Sequence, residues 1–351
     1  MGAPFVVVMA GGSGTRFWPK STSKRPKQLL SFGGGGGSGT SLLASTLSRF
    51  AGISPVDQQI IVTTELLRDA VQADVAPGVQ ILAEPQGRNT APCVYWAARA
   101  IAARDPRGIM LVMPADHYVP NLDAFRTTVA AAVDWALKHD DLVTLGIRPS
   151  RPETGYGYLR TGTVLANGCR KIDAFVEKPG FEKAKEFLAA GNYLWNGGMF
   201  VWRVDVILAA FDQHMPEMKT AWEQNGSDAL KAYPHLPATS IDYGVMEKAR
   251  NVVTFPLDCG WDDVGSWTSL EGLAHALKAE HPAGVVTAGQ CVPIESKGNI
   301  VDVPGKLVAL LGVDDLIIVE SGEALLIAKK DRAQDIKRVV EEVKRLRPDL
   351  T

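Results

Sequence analysis

Residues 4–19 read PFVVVMAGGSGTRFWP, an apolar run followed at once by a glycine-rich turn. The run VVVMA and its flanking residues predict a short buried strand. Gly11, Gly12 and Gly14 allow the backbone to pass close to a ligand and to turn its N–H groups toward phosphate. Arg16 adds a planar cation that suits phosphate oxygens. This glycine loop therefore predicts a phosphate site directly after a strand, and the alternative is a plain strand-to-helix turn.

The glycine loop matches neither of two common nucleotide-binding fingerprints. It lacks the G-K-[ST] of a Walker A motif, and Phe17 stands where a dinucleotide fingerprint has its third glycine. A second stretch, GGGGSGTS at residues 34–41, approaches the Walker A pattern but has Thr40 in place of the lysine and does not follow a strand. We expect residues 33–39 to form a lengthened, mobile turn that nucleotide binding does not need, with Thr40 as the N-cap of the next helix.

The first half of the chain alternates buried strand-like runs with helical segments. The further strand-like runs are QQIIVTT, GVQILAE, GIMLVMPAD and DLVTLGI. The segments with helical spacing are SLLASTLSRF, ELLRDAVQADV, NTAPCVYWAARAIAARD and NLDAFRTTVAAAVDWALKH. Asn89 and Asn121 are the expected N-caps of the third and fourth of these segments. This alternation predicts an α/β fold with a mostly parallel sheet covered by helices, in which ligands bind beyond the carboxyl ends of the strands.

The pattern changes twice farther along the chain. From about residue 151 strand-like and helical stretches are mixed. After about residue 284 come four short apolar runs, NIVDV, LVALLG, LIIVE and ALLIA, which predict a small all-β appendage, and an amphipathic helix follows them. We expect one domain over residues 1–283, with halves that divide near residue 150, and a small β tail domain over residues 284–351.

Composition limits the possible partners and the compartment. The 351 residues carry a net charge of -2, which favours neither nucleic acid nor an anionic membrane as a partner. The four cysteines form no C-x-x-C pair, which argues against a zinc site or a disulfide framework. The N-terminus shows no basic region followed by a long apolar segment. We therefore expect a cytoplasmic protein.

Basic and acidic candidates point to phosphate and metal chemistry. Five basic residues lie between Arg16 and Lys27, and the proline and apolar neighbours in RPKQLL would hold Lys27 in place. Asp116 in MPADH follows the fourth strand, and Asp262 and Asp263 lie among tryptophans in CGWDDVGSW. Mg²⁺ usually takes one or two carboxylates together with substrate phosphates, so Asp116 and Asp263 are a candidate pair. A helix cap and a packed loop are the alternatives for these aspartates.

Other candidates point to a base and a sugar. Glu84 in EPQGRNTAP presents a carboxylate in a stiffened loop, which matches the N1–H and N2–H₂ edge of guanine. Glu177 and Lys178 leave a strand in VEKP, and Asn196 precedes a glycine pair in WNGGMFVW. Glutamate and asparagine commonly bind sugar hydroxyls, while Lys178 suits a monophosphate.

Together these motifs resemble the sugar-nucleotidyltransferase family, specifically its mannose-1-phosphate guanylyltransferases. The strings that carry the resemblance are MAGGSGTRFWP, RPKQLL, EPQGRNTAP, MPADH, TGYGY, VEKP, WNGGMF and WDDVGSW. The resemblance implies a Rossmann-like domain with a β-helix-like tail, often as a homodimer. It also implies Mg²⁺-dependent transfer of GMP from GTP to mannose 1-phosphate, which yields GDP-mannose and pyrophosphate.

The resemblance also implies roles for individual residues. It assigns the nucleotide to Ala10, Gly11, Gly12, Gly14, Thr15, Arg16, Glu84, Pro85, Asn89 and Thr90. It assigns the sugar phosphate to Tyr156, Gly157, Glu177, Lys178 and Asn196. Catalysis falls to Arg16, Lys27, Asp116 and Asp263, the last two as metal ligands. The family often has serine where Asp262 stands, so the choice between Asp262 and Asp263 stays open, and the turn at residues 33–39 is longer than usual.

The sequence leaves three alternatives open. One is the same reaction with another hexose 1-phosphate or another base. The second is a non-catalytic sensor of nucleotide sugars, against which the retained Arg16, Lys27, Asp116 and Asp263 speak. The third is an NAD-dependent dehydrogenase, against which the missing third glycine speaks.

Overall fold

The computed structural model describes residues 2–12, 14–32 and 39–351, and its larger sheet has nine strands. They are Phe5–Met9 (β1), Gln59–Thr64 (β2), Gln80–Glu84 (β3), Ile109–Pro114 (β4), Leu142–Ile147 (β5), Tyr158–Val164 (β6), Arg170–Val176 (β7), Tyr193–Arg203 (β8) and Val252–Leu257 (β9). Their order is β3-β2-β1-β4-β8-β5-β9-β7-β6. Strands β1 to β4 pair in parallel, as do β5 and β9, whereas β8 runs antiparallel between β4 and β5. The predicted mixed sheet is confirmed, with parallel pairing concentrated in β1 to β4 and antiparallel pairing where β6, β7 and β8 join it.

Helices cover both faces of this sheet. They are Leu42–Ser48 (α1), Arg68–Asp74 (α2), Thr90–Ala102 (α3), Leu122–Lys138 (α4), Phe181–Ala190 (α5), Val204–His214 (α6), Pro216–Gln224 (α7) and Ala229–Ala232 (α8). The next helix, Ser269–Leu273 (α9), packs against the C-terminal strands instead. Alternate residues of β1 enter two cores. Val6 and Val8 pack in the core that contains α1 and α4, and Phe5 and Val7 pack in the one that contains α3 and α6. Because both faces are covered, the strand sequence is apolar throughout.

Side-chain caps begin several of these helices. Asn89 and Asn121 accept backbone N–H groups at the starts of α3 and α4, as predicted. The prediction of Thr40 as a cap is wrong. Helix α1 begins one residue later than expected, and the Ser41 hydroxyl accepts the N–H of its first turn at 2.9 Å. Residues 33–38, which carry most of the predicted glycine turn, lie outside the described residues.

The C-terminal part of the chain forms a second, five-stranded sheet whose strands follow in chain order. They are Glu280–His281 (β10), Gly284–Ile294 (β11), Asn299–Leu311 (β12), Leu316–Ser321 (β13) and Ala324–Lys329 (β14). Strands β11, β12 and β13 pair in parallel, as successive coils of a β-helix do. The runs NIVDV and LVALLG, predicted as separate strands, both belong to β12. Helix α10, Ile336–Leu346, follows this sheet, and the domain boundary at residue 284 stays a prediction.

The tail packs against the segment that follows the glycine loop. The Trp18 indole Nε1 donates to the Leu350 carbonyl at 2.9 Å, and Lys20 Nζ lies 2.7 Å from the buried Asp302 carboxylate. Phe17 and Trp18 share a buried apolar cluster with residues of β13 and α10. The tail therefore packs directly against the residues that follow the glycine loop. Across the part of the chain that the structure describes, no helix is both long and apolar enough to cross a membrane.

Candidate active site

The glycine loop leaves β1 at the edge of the sheet where the parallel strands end. The Gln28 side-chain amide donates to the carbonyls of Ala10 at 2.8 Å and Gly12 at 3.1 Å. Gly14 has φ 57°, and a Cβ there would lie 2.6 Å from the backbone nitrogen of Lys27. Only glycine fits this left-handed, close-packed position. The loop is therefore held flush against the turn that carries Lys27.

Two cavities meet beside this loop. The first has a volume of about 450 Å³. The predicted site residues that line it are Ala10, Gly11, Gly12, Glu84, Asn89, Thr90, Asp116, Tyr156, Gly157, Glu177, Asn196 and Asp263. The second has a volume of about 250 Å³. The predicted site residues that line it are Gly14, Thr15, Arg16, Lys27, Asp116 and Asp263. Pro85 and Lys178 line neither cavity, and Lys178 is exposed at the rim.

A buried lysine lies where the cavities join. Lys27 is 6% exposed, and its ammonium donates to Asp116 Oδ2 at 2.8 Å and to the backbone carbonyl of Asp263. Burial alone would raise the pKa of Asp116, but the Lys27 charge holds that pKa below its usual value. Arg16 is exposed and donates to the Gly265 carbonyl at 3.1 Å. Two cationic side chains therefore face the junction.

The basic cluster predicted from the sequence divides in the structure. Arg16 and Lys27 line the second cavity, whereas Lys20 pairs with Asp302 of the tail. Lys24 and Arg25 are exposed and line neither cavity. The cluster thus supplies two cations to the site instead of five.

The neighbouring acids Asp262 and Asp263 have different surroundings. Asp263 lines both cavities, and its Oδ1 accepts the Tyr156 hydroxyl at 2.6 Å. Asp262 lines neither, and its Oδ1 accepts the Val264 N–H at 2.7 Å. Its backbone also pairs with Tyr118. The geometry therefore favours Asp263 as the acid that faces a ligand and Asp262 as the acid that shapes the loop.

His117 and Trp261 line the first cavity beside Asp116 and were not predicted from the sequence. The Trp261 indole N–H donates to His117 Nδ1 at 3.0 Å, which leaves the ring proton on Nε2. Burial lowers the pKa of His117 to about 4, so the ring is neutral near pH 7. The only sequence signal was its position next to Asp116.

Glu84 closes one end of the first cavity. It ends β3, is 4% exposed, and accepts a hydrogen bond from the buried hydroxyl of Tyr233. Burial raises the pKa of Glu84 to about 7, and the Tyr233 hydrogen bond opposes this shift. A Cβ on Gly11 would lie 3.3 Å from Glu84 Oε2, so the glycine loop and this carboxylate border the same space. Tyr233 was not predicted.

Three further polar side chains, Asn196, Asp242 and Glu177, line the first cavity and contact one another or their neighbours. The Asn196 amide donates to Asp242 Oδ1 at 2.7 Å, and burial followed by the Glu177 charge raises the pKa of Asp242 to about 6. Glu177 Oε1 pairs with Lys178 at 2.8 Å, while the buried Oε2 has no hydrogen-bond partner among the described residues. Gly157 lies against that oxygen. Asp242 was missed because its segment carries no recognisable motif.

The donor set also bears on metal binding. Within the described ranges, no three side chains of histidine, cysteine, aspartate or glutamate converge on one point. Asp116 and Asp263 offer hard oxygen ligands at the cavity junction, and a cation, the Lys27 ammonium, already lies between the Asp116 carboxylate and the Asp263 carbonyl. Two carboxylates completed by substrate phosphates suit Mg²⁺. The residues therefore fit the ion that the sequence analysis predicts.

Comparison with known proteins places the chain in a family. A model described as nucleotidyl transferase matches residues 5–280, and one described as a MannoseP isomerase/GMP-like beta-helix domain matches residues 289–343. Two relatives named mannose-1-phosphate guanylyltransferase, from Salmonella typhimurium and Escherichia coli, are 38% and 37% identical over 97% of this chain and 73% of their own length. The chain belongs to the mannose-1-phosphate guanylyltransferase family. It is therefore a nucleotidyltransferase, and the predicted family is confirmed.

Solved structures agree with this family assignment. A crystal structure from Thermus thermophilus, described as a mannose-1-phosphate geranyltransferase, is 36% identical and superposes with a TM-score of 0.88 over 98% of this chain and 100% of its own. A mannose-6-phosphate isomerase from Helicobacter pylori shares the fold at 23% identity and a TM-score of 0.59. The predicted Rossmann-like domain with a β-helix-like tail is confirmed.

Proposed function

We propose that this guanylyltransferase family member transfers GMP from GTP to α-D-mannose 1-phosphate and forms GDP-mannose and pyrophosphate. The observation that carries the proposal is the junction of the two cavities, where Lys27 contacts Asp116 and Asp263, in a site that Glu84 and Glu177 also line. With a base at Glu84 and a hexose at Glu177, a nucleoside triphosphate and a sugar phosphate would bring their phosphates together at the junction.

In the proposed reaction, an oxygen of the sugar phosphate attacks the α-phosphorus of GTP. The new phosphorus–oxygen bond forms as the bond from the α-phosphorus to the bridging oxygen of the β-phosphate breaks, and pyrophosphate leaves. The nucleophile is already an anion, so no general base is needed. Lys27 and Arg16 reduce the repulsion between the two polyanions, and the held loop keeps them in place before substrate arrives.

Mg²⁺ is part of this proposal, with Asp116 and Asp263 as the residues that would hold it. When bound, the ion would neutralise charge on the triphosphate. The hydrogen bond from Tyr156 orients the Asp263 carboxylate toward the junction. Burial, with the nearby Asp263 and Asp262 charges, raises the pKa of Tyr156, so its hydroxyl stays a donor at neutral pH.

The remaining predicted residues take base, phosphate and sugar roles in the proposal. Glu84 accepts guanine N1–H and N2–H₂. The residues proposed to border the rest of the nucleotide are Ala10, Gly11, Gly12, Gly14, Thr15, Pro85, Asn89 and Thr90. The residues proposed to bind the hexose are Tyr156, Gly157, Glu177 and Asn196. Lys178 approaches the sugar phosphate from the rim.

Pyrophosphate release across a grid of four nucleoside triphosphates and several hexose 1-phosphates tests the proposal. We expect turnover with GTP and mannose 1-phosphate that stops when EDTA removes the divalent ion. Preference for another hexose 1-phosphate would correct the substrate, and no release from any pair would reject the enzymatic role. A homodimer and a cytoplasmic location belong to the same proposal, and light scattering and cell fractionation test them.

A further inference from the structure

We propose that Tyr233 is a positioning residue that holds the Glu84 carboxylate ready to accept two guanine N–H groups, and that it thereby sets the preference for guanine. The inference rests on the proposed function, since it requires Glu84 to meet the base. Nothing in the motifs around Glu84 points to Tyr233, which lies 149 positions away along the chain.

The surroundings of Glu84 leave it dependent on this one hydroxyl. The carboxylate is 4% exposed, and the Tyr233 hydroxyl is the hydrogen-bond donor that contacts it within the described residues. No lysine or arginine in the described ranges forms an ion pair with it. A buried carboxylate without a cation is costly to ionise, and a donated hydrogen bond lowers that cost.

Tyr233 is itself held firmly. It is fully buried, and its ring packs at 5.3 Å from the ring of Trp96 on α3. Arg88, four residues after Glu84, donates to the carbonyl of Leu236 at 2.7 Å. This hydrogen bond connects the turn that carries Tyr233 to the loop that follows Glu84. It therefore holds the Tyr233 hydroxyl at a fixed position relative to the Glu84 carboxylate.

One hydrogen bond leaves enough acceptor capacity for a base. An ionised carboxylate has about four lone-pair sites, and Tyr233 uses one of them on Oε1. Glu84 Oε2 lies beside Gly11 of the glycine loop, and both residues line the first cavity. Guanine presents N1–H and N2–H₂ side by side, and a carboxylate with a fixed plane meets both. Adenine and the pyrimidine bases lack this donor pair, so a held carboxylate discriminates against them.

The charge state of Glu84 supplies a readout that a purely structural role would not change. Two other groups face this region. Cys93 lines the cavity, and burial, then the Glu84 charge, raises its pKa, so it stays neutral. The Arg88 charge acts on Tyr233. With the pKa of Glu84 at about 7, GTP binding should weaken as the pH falls through neutrality, and losing the hydrogen bond should move that loss to higher pH.

The test compares Tyr233→Phe with Tyr95→Phe. Tyr95 is an equally buried tyrosine whose hydroxyl has no partner among the described residues, so its removal is a matched control. The assay measures kcat and KM between pH 6 and 9 with mannose 1-phosphate and either GTP or ITP, which lacks the N2 amino group.

We expect Tyr233→Phe to raise the KM for GTP roughly tenfold at pH 7, the equivalent of one hydrogen bond to a charged group. The increase should shrink toward pH 9, kcat should change little, and the preference for GTP over ITP should fall. Tyr95→Phe should match the wild type.

Unchanged pH profiles and an unchanged GTP-to-ITP ratio in folded Tyr233→Phe would overturn the inference. If that variant does not fold, Glu84→Gln provides the test, because it keeps Tyr233 but presents one acceptor and one donor to the base. A GTP-to-ITP ratio in Glu84→Gln equal to that of the wild type would then overturn the inference. Failure of the proposed function is distinguishable, since wild type would then release no pyrophosphate from GTP and mannose 1-phosphate.

Discussion

Replacing Lys27 with alanine should separate catalysis from stability, and Lys20 offers the matched comparison. Both lysines come from the same short segment and both pair with an aspartate. Lys27 meets Asp116 at 2.8 Å at the cavity junction, whereas Lys20 meets Asp302 at 2.7 Å beneath the tail. The two variants therefore remove the same group from two different environments.

The expected magnitudes differ because the partner aspartates differ in exposure. The loss of a preorganised charge-stabilising donor costs about 3–4 kcal/mol in the barrier, so kcat of Lys27→Ala should fall roughly 10²–10³-fold. The Asp116 side chain is 36% exposed and water can solvate it, so the free energy of unfolding should fall by less than about 1.5 kcal/mol. The Asp302 side chain is 3% exposed, and Lys20→Ala should therefore lower the free energy of unfolding by about 3 kcal/mol.

Pyrophosphate-release kinetics and urea unfolding of both variants provide the measurement. Lys20 lines neither cavity, so Lys20→Ala should keep kcat within roughly threefold of wild type. A near-normal kcat in Lys27→Ala would refute the assignment of Lys27. Equal losses of kcat in both folded variants would refute the division between a catalytic and a structural lysine.

Three further predictions concern individual side chains. Asp263→Asn should lower metal-dependent turnover at least roughly hundredfold. Asp262→Asn keeps an acceptor for its backbone hydrogen bond and should retain most of the turnover. The reverse ranking would reassign the metal ligand to Asp262. The pKa of Glu84 is raised to about 7 in the folded protein, so the neutral carboxyl stabilises the fold at low pH and this contribution is lost as the pH rises toward 7. Between pH 5 and 8 the free energy of unfolding of the ligand-free wild type should therefore fall by about 2–3 kcal/mol more than that of Glu84→Gln. The same pH dependence of urea unfolding in both proteins would contradict this. Gly157→Ala would place a methyl group against Glu177 Oε2 and should raise the KM for the sugar phosphate at least roughly tenfold. An unchanged KM would mean that Gly157 and Glu177 do not form part of the sugar site.

The sequence predicted those parts of the fold that short-range patterns determine. Strands β1 to β5 each contain a short apolar run, and α3 and α4 carry asparagine caps at their starts. The position of β8 between β4 and β5 was not predictable, because local periodicity does not encode which distant strands pair. One-residue differences, such as Ser41 in place of Thr40 at the start of α1, arise where two neighbouring residues can both cap a helix, and here the stronger capping residue, serine, does so.

The candidate site also contains residues that the local sequence predicted and residues that only the folded structure revealed. Residues at or just beyond the ends of strands, such as Glu84 and Asp116, were found because the fold class itself places them at the ligand edge. Tyr233 and Asp242 were not found, since they come from a segment of short irregular turns and meet Glu84 and Asn196 only through tertiary packing. Lys27 was singled out by its RPKQLL context and by the family resemblance, whereas nothing in the sequence indicated that Lys20 pairs with Asp302 of the tail.

The hydrogen bond from Trp18 to the Leu350 carbonyl spans 332 positions of the chain. During synthesis on the ribosome, the glycine loop therefore emerges long before the residues that support it. Strands β1 to β4 can pair early, but the underside of Phe17 and Trp18 stays uncovered until β13 and α10 have been made. Closing so long a contact is slow relative to local pairing. A nascent chain would thus acquire its sheet first and the ability to hold a triphosphate only near the end of translation of this segment.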